Sequence, residues 1–369
     1  MGRAARQRLR LSPRARPGLI GLLLAALLAA CAAEAPRQER WIVFGSLAAV
    51  QFPPGSETAA EREALAGVAR LWAALERDWH AWQPSTLTRF NAALAGGAMV
   101  TAPEALRLPI ARSRPLLAES AGWFDPGIGR LVALWGFHTS DYPITSLPPD
   151  AAALAAWAAR PDSLADLDCD ADWRCRSRAP QLQLDFNAMA EGLALELAAA
   201  QLRAQGVRHA LLDLGGDMLA LGERAGRPWR VGLDDGRGGV LGGVELRDGE
   251  AFMSSGSYAK WRPAPEGGRW PHVLDPRSGQ PARGTRLVAV LHPDPVRADA
   301  AATALLAAGP ERFARLVDSL RLGCALLVDE AGTAWLTPGM AARFQWQQAL
   351  PQRRLPGAAA GCDPDRPPS

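Results

Sequence analysis

Lysine is almost missing from this chain of 369 residues: all but one of its 41 basic side chains are arginine, Lys260 being the exception. We read that bias, with the abundance of alanine, as a compositional habit rather than a binding surface. Histidine is nearly as scarce, with five, and none falls in an HExxH pattern. No GxSxG and no Walker sequence occurs either, so the common zinc-protease, serine-hydrolase and P-loop readings lack support. Five cysteines show no CxxC and no Cys/His spacing suited to zinc. Internal repeats and an evident domain linker are also lacking. Net charge is only +3, and six of the arginines lie within the first 16 residues; without them the balance turns slightly acidic, which argues against nucleic acid.

What the N-terminus does contain is a signal. Arginines precede an apolar run, Leu19 to Ala30, too short to span a bilayer comfortably, and small residues lead into Cys31. The end, Leu28-Ala29-Ala30-Cys31, resembles a bacterial lipobox, in which the cysteine is lipidated and anchors the domain to a membrane by acyl chains. The alternative is a plain secretory signal with Cys31 incidental. Ala32, rather than aspartate, points to the outer rather than the inner membrane, on the periplasmic side. Export makes disulfides possible, and Cys169 and Cys175 are close enough to staple one loop; Cys324, in an apolar run, reads as a buried thiol.

Periodicity places a strand over Trp41 to Phe52 and amphipathic helices over Glu57 to Trp79, Pro103 to Ala121 and Asn187 to Gln205, with Asn187 as N-cap. Short β-rich segments follow from Val207, with GLDDGRGG as a hairpin turn and a short strand carrying His272 and Asp275. An alanine-rich helix, RADAAATALLAAG, comes near the end. Strands in runs with grouped helices predict an α+β fold of mixed β-sheets with packed helices, a single compact unit. The expected organisation is a signal peptide over 1–30, one domain over 31–350 and a disordered tail over 351–369. By themselves Asp299 and Thr303 read as a first-turn acid and a back-bonded hydroxyl.

Eight segments change that reading. FGS (Phe44 to Ser46), HAWQPSTLTRFN (His80 to Asn91), FDPGIGRLVALWGF (Phe124 to Phe137), LDFNAMAEG (Leu184 to Gly192), LLDLGGD (Leu211 to Asp217), SSGSYAKW (Ser254 to Trp261), HVLDPRSGQP (His272 to Pro281) and ADAAATAL (Ala298 to Leu305) occur in this order. Together they resemble the ApbE family of FAD:protein FMN transferases. Trp82 stands where tyrosine is common, and FGS replaces a more typical Met-Gly-Thr.

The resemblance implies an α+β flavin transferase fold that binds FAD and uses Mg²⁺ to move FMN onto a serine or threonine of an acceptor flavoprotein, with release of AMP. It further implies a metal site of Asp299, Thr303 and the backbone oxygens of Ala188 and Ala302. Phe44, Trp82, Phe124, Asp125, Asp185, Glu191 and Val273 would line the FAD pocket, with Gly215, Gly216 and Asp217 near the cofactor. His272 would handle the acceptor's proton with Asp275 as its partner, while Trp135 and Phe137 stay in the core. The rival readings are an FAD pyrophosphatase yielding FMN and AMP, and a flavin-binding lipoprotein without chemistry.

Overall fold

A computed structural model describes residues 38–55, 58–142, 144–264, 267–357 and 361–362. The expected signal peptide and Cys31 lie outside them. The centre of the fold is a nine-stranded sheet whose neighbours follow chain order: Gln38–Val43, Ser46–Gln51, Ala210–Leu214, Asp217–Leu221, Ala251–Gly256, Thr285–His292, Ala325–Asp329, Ala334–Leu336 and Gln352–Arg354. All neighbours pair antiparallel except the last two, which are parallel.

Side chains of a strand alternate between its faces, and here both faces are covered. In Thr285–His292, Val288 and Val290 pack with three helices, Ala59–Trp79, Asn187–Ala204 and Pro295–Ala308. Leu287, Ala289 and Leu291 point the other way, onto a smaller sheet built from Trp229–Asp234, Val240–Leu246 and Gln345–Trp346. The GLDDGRGG hairpin joins the first two of those strands, as its glycines suggested. A third, smaller core of Leu131, Trp135, Phe137, Ile144, Trp157 and Leu274 lies under the segment after Phe124. The described residues belong to one compact unit, and none of their helices is long and apolar enough to cross a membrane.

Several expectations need correction. The strand expected over Trp41 to Phe52 is a hairpin of two strands, because the chain reverses at Phe44–Gly45; Phe44 sits at φ 53°, a region a bulky side chain rarely adopts. Helix Asn187–Ala204 begins at Asn187 itself, with Phe186 at the N-cap position, and Asp185 Oδ1, just ahead of it, accepts the Asn187 N–H at 2.9 Å. His272 lies just beyond the strand Arg269–Pro271 rather than on one. The tail is partly ordered: Gln352–Arg354 pairs with Ala334–Leu336, and Cys324, expected as a free thiol, is disulfide-bonded to Cys362. Cys169 and Cys175, directly opposite on paired strands, form the local disulfide.

Two of the three central helices meet at Gly192. A Cβ there would lie 2.4 Å from the Pro295 carbonyl oxygen and 2.9 Å from Asp299 Cβ, so only glycine permits this approach. Gly192→Ala should therefore cost about 1–3 kcal/mol through overpacking, read as a lower urea midpoint at unchanged m-value.

Candidate active site

A cavity of about 300 Å³ opens where the hairpin tip, the 82 region, the segment 123–142, the start of helix Asn187–Ala204, the Gly-Gly turn, the Ser254–Lys260 stretch and the alanine-rich helix converge. The residues expected around FAD all line this cavity, apart from Gly216, which faces solvent in its turn. His272, Ala188, Asp299 and Thr303 join them, while Ala302 is fully buried in the helix behind. Segments separated by up to 259 positions, from Phe44 to Thr303, thus share one wall.

Aromatic rings form its apolar part. Phe44, Trp82, Phe124 and Phe137 all line the cavity, the last also packing in the small core beside the fully core Trp135. Trp82 is held in place by two histidines: His138 stacks on it at 5.3 Å and 18°, and His80 meets it edge-on at 4.4 Å. His138 in turn donates from Nε2 to Asp185 Oδ2 at 3.1 Å, so Asp185 ties Trp82 to the start of helix Asn187–Ala204. Asp125 is similarly engaged, its Oδ1 accepting the N–H groups of Gly127 and Leu164. Burial nonetheless pushes its carboxyl up.

Three more carboxylates come together on the opposite side. Asp299 Oδ2 accepts the Gly192 N–H at 2.8 Å, Glu191 Oε1 accepts the Ser46 hydroxyl at 2.9 Å, and Asp217 Oδ1 accepts the Ser254 N–H at 2.7 Å. Gly215 allows the second of these contacts: it sits at φ 68°, and a Cβ there would lie 3.0 Å from both Glu191 Oε1 and Ser46 Oγ. Desolvation, then the charges of Asp299 and Glu191, push Asp217 well above the usual carboxylate range. Burial and Glu191 do the same to Asp299, and burial raises Glu191 against the pull of Ser46 and Lys260.

Such a cluster favours a bound cation, because a divalent ion replaces mutual repulsion with attraction. Among the described residues no three His, Cys, Asp or Glu side chains stand in ligating arrangement. The donors that fit are hard oxygens of mixed kind. Asp299 and Thr303 lie one turn apart on a single helix face. The Gly192 N–H donates to Asp299, and Ala188, one turn earlier on the same helix, lines the cavity, where its carbonyl oxygen is a further donor of the same hard kind. This oxygen-only set suits Mg²⁺ chemically.

His272 is oriented by backbone rather than by the expected carboxylate. Its N–H and its Nδ1 both meet the Lys260 carbonyl oxygen, at 3.0 and 3.1 Å. A carbonyl only accepts, so Nδ1 carries the proton and Nε2 holds the lone pair. Burial, reinforced by the Lys260 charge, pushes its pKa down to about 4. Asp275 is not its partner. Both Asp275 oxygens serve their own turn, accepting the Arg277 N–H at 3.0 Å and the Ser278 hydroxyl at 2.8 Å. Sequence reasoning missed Ser46, His138 and Lys260; the last had a signal, being the only lysine in an arginine-rich chain.

Residues 44–328 match the model of the ApbE family. The chain is 38% identical over 328 residues to an FAD:protein FMN transferase of Rhodobacter capsulatus, covering 88% of this chain and 62% of that protein. It therefore spans less than two thirds of that relative's length. A second such transferase, from Klebsiella pneumoniae (strain 342), is 31% identical, covering 69% of this chain and 74% of its own. Among solved structures, the apo flavinyl transferase ApbE of Pseudomonas stutzeri matches with TM-score 0.70 at 28% identity, over 84% of this chain and 98% of that one. The ApbE protein of Thermotoga maritima shares the fold at TM-score 0.72 and 23% identity, over 81% of this chain and 96% of its own.

The buried acids make a prediction for the metal-free protein. A carboxyl with a raised folded pKa contributes stability that is complete at low pH and lost as pH rises through that value. Asp217→Asn keeps the acceptor for Ser254 and removes the charge. It should melt a few degrees above wild type at about pH 8, the difference vanishing towards about pH 4. A thermal melt series across pH checks it.

Proposed function

Because the chain belongs to the ApbE family, we propose that it is a Mg²⁺-dependent FAD:protein FMN transferase, acting on a serine or threonine hydroxyl of an acceptor flavoprotein. The observation that carries the reading is the juxtaposition of the aromatic wall, the Asp299–Thr303 donor pair and His272 in one cavity. In the reaction the acceptor oxygen forms a bond to the FMN-side phosphorus. The bond from that phosphorus to the bridging oxygen breaks, AMP leaves with that oxygen, and the hydroxyl proton is taken up by a base.

The chain's own residues divide this work. Trp82, Phe44 and Phe124 supply flat apolar surface for a flavin or adenine ring. His272 is suited to receive the hydroxyl proton at Nε2, because the Lys260 carbonyl fixes the other tautomer site and the ring is neutral at ordinary pH. Anionic phosphates beside it would raise its pKa towards the working range. Asp299, Thr303 and the carbonyl oxygens of Ala188 and Ala302 would hold Mg²⁺, which supplies charge neutralisation on the pyrophosphate oxygens when bound. The rest is positioning of the two reactants in line.

We also infer export and lipidation at Cys31, on the periplasmic face of a membrane and more in keeping with the outer one. The lipobox-like sequence supports this, and so do the two disulfides, which form in oxidising compartments.

Incubating the protein with FAD, Mg²⁺ and an acceptor bearing an Asp-x-[Ser/Thr]-x-x-Thr segment should give in-gel flavin fluorescence on the acceptor. AMP release without fluorescence would make the protein a pyrophosphatase instead, and neither would leave only binding. Asp299→Ala should stay folded yet lose both turnover and the rise in melting temperature that Mg²⁺ gives wild type. His272→Ala should bind FAD normally and slow transfer on the order of 10²–10⁴-fold in single-turnover assays.

A further inference from the structure

We propose that Lys260 is a catalytic residue that binds the pyrophosphate of the dinucleotide and neutralises the charge leaving with AMP. This rests on the reading of the cavity as an FAD site.

Charge bookkeeping at the cavity comes first. Its wall includes the carboxylates of Asp125, Asp185, Glu191, Asp217 and Asp299, and Lys260 is the one Lys or Arg among its lining residues. A dianionic pyrophosphate entering beside these five acidic side chains meets repulsion from each one that is ionised, and Lys260 is the one side-chain cation on the lining to offset it. One divalent ion at Asp299 balances part of that charge; a side-chain cation on another wall balances more.

The Lys260 ammonium is also uncommitted. Its side chain is exposed, and among the described residues it makes no hydrogen bond and no ion pair. Its field nevertheless reaches the reacting groups, pulling the Glu191 carboxyl down and pushing the His272 imidazole down. Lys260 thus lines the same cavity as the acidic cluster and His272 and acts on both.

The choice of lysine has a physical reason in a chain that otherwise uses arginine. The planar guanidinium grips carboxylates two-fold, as Arg343 does with both Glu250 oxygens. In so acidic a cavity a guanidinium would be shared between the wall and a phosphate. An ammonium is a compact charge with three donors on a flexible stem, and it can follow a phosphate instead.

One residue then serves both ends of the reaction. The Lys260 carbonyl sets the His272 tautomer, while its ammonium meets the developing charge. As the acceptor O–P bond forms and the P–O bond to AMP breaks, the electron pair moves onto the AMP phosphate oxygen. A nearby ammonium stabilises that charge more in the transition state than in the bound substrate.

The test uses the full protein and three probes: FAD, ADP, which carries the pyrophosphate without flavin, and riboflavin, which carries flavin without phosphate. Lys260→Met should weaken ADP and FAD binding on the order of tenfold. It should leave riboflavin affinity and melting temperature unchanged and lower kcat with FAD. Lys260→Arg should restore part of the ADP affinity. Wild-type ADP affinity in Lys260→Met, or parallel loss of riboflavin and ADP, overturns the proposal. A wild-type protein that binds neither FAD nor ADP would instead sink the flavin reading, and this assignment with it.

Discussion

A single hydrogen bond, from the Gly192 N–H to Asp299 Oδ2, holds the site together. It crosses between two helices that are 107 positions apart in sequence at that point, and it forms only because Gly192 lets them touch. The same contact fixes one carboxylate oxygen and holds Asp299 at the cavity. Separating the helices would lose the donor set, the acidic cluster and part of the core at once. Packing and chemistry are one constraint here.

The cavity is built against its own stability. Glu191, Asp217 and Asp299 are all buried and all held above the usual carboxylate range, so the ligand-free protein carries a strain that a cation would relieve. A neutral molecule of the same shape would leave that strain in place. Asp185 and Asp125 also shape the wall: Asp185 has both oxygens engaged, by the Asn187 N–H and His138, and Asp125 Oδ1 accepts two backbone N–H groups.

Much of this was legible in residues alone, and the misses have causes. Asp299 and Thr303 stood out because a helix brings positions four apart together, which is a property of local sequence. The α+β architecture followed from strands that come in runs with helices grouped among them. His272 could be singled out, but its partner could not, because a backbone carbonyl has no side-chain signature; the eye went to Asp275, a nearby carboxylate that its own turn consumes. The reversal at Phe44–Gly45 was hidden inside a continuous apolar run. The Cys324–Cys362 bond was hidden because connectivity is not written in spacing. The last strand, three residues long, offers no periodicity to read.

That last strand has a temporal meaning. The other eight strands of the large sheet are antiparallel neighbours in chain order, so each can be added as soon as the next stretch of chain is available. Gln352–Arg354 alone enters parallel, across three residue pairs, and is backed by the covalent return of Cys362 to the residue just before Ala325–Asp329. Wherever thiols stay reduced, the far edge of the sheet is held by that short ladder without its clasp. Oxidation thus adds a covalent clasp to an edge that otherwise rests on three residue pairs, and it keeps Ala334–Leu336 covered as an inner strand rather than an open border.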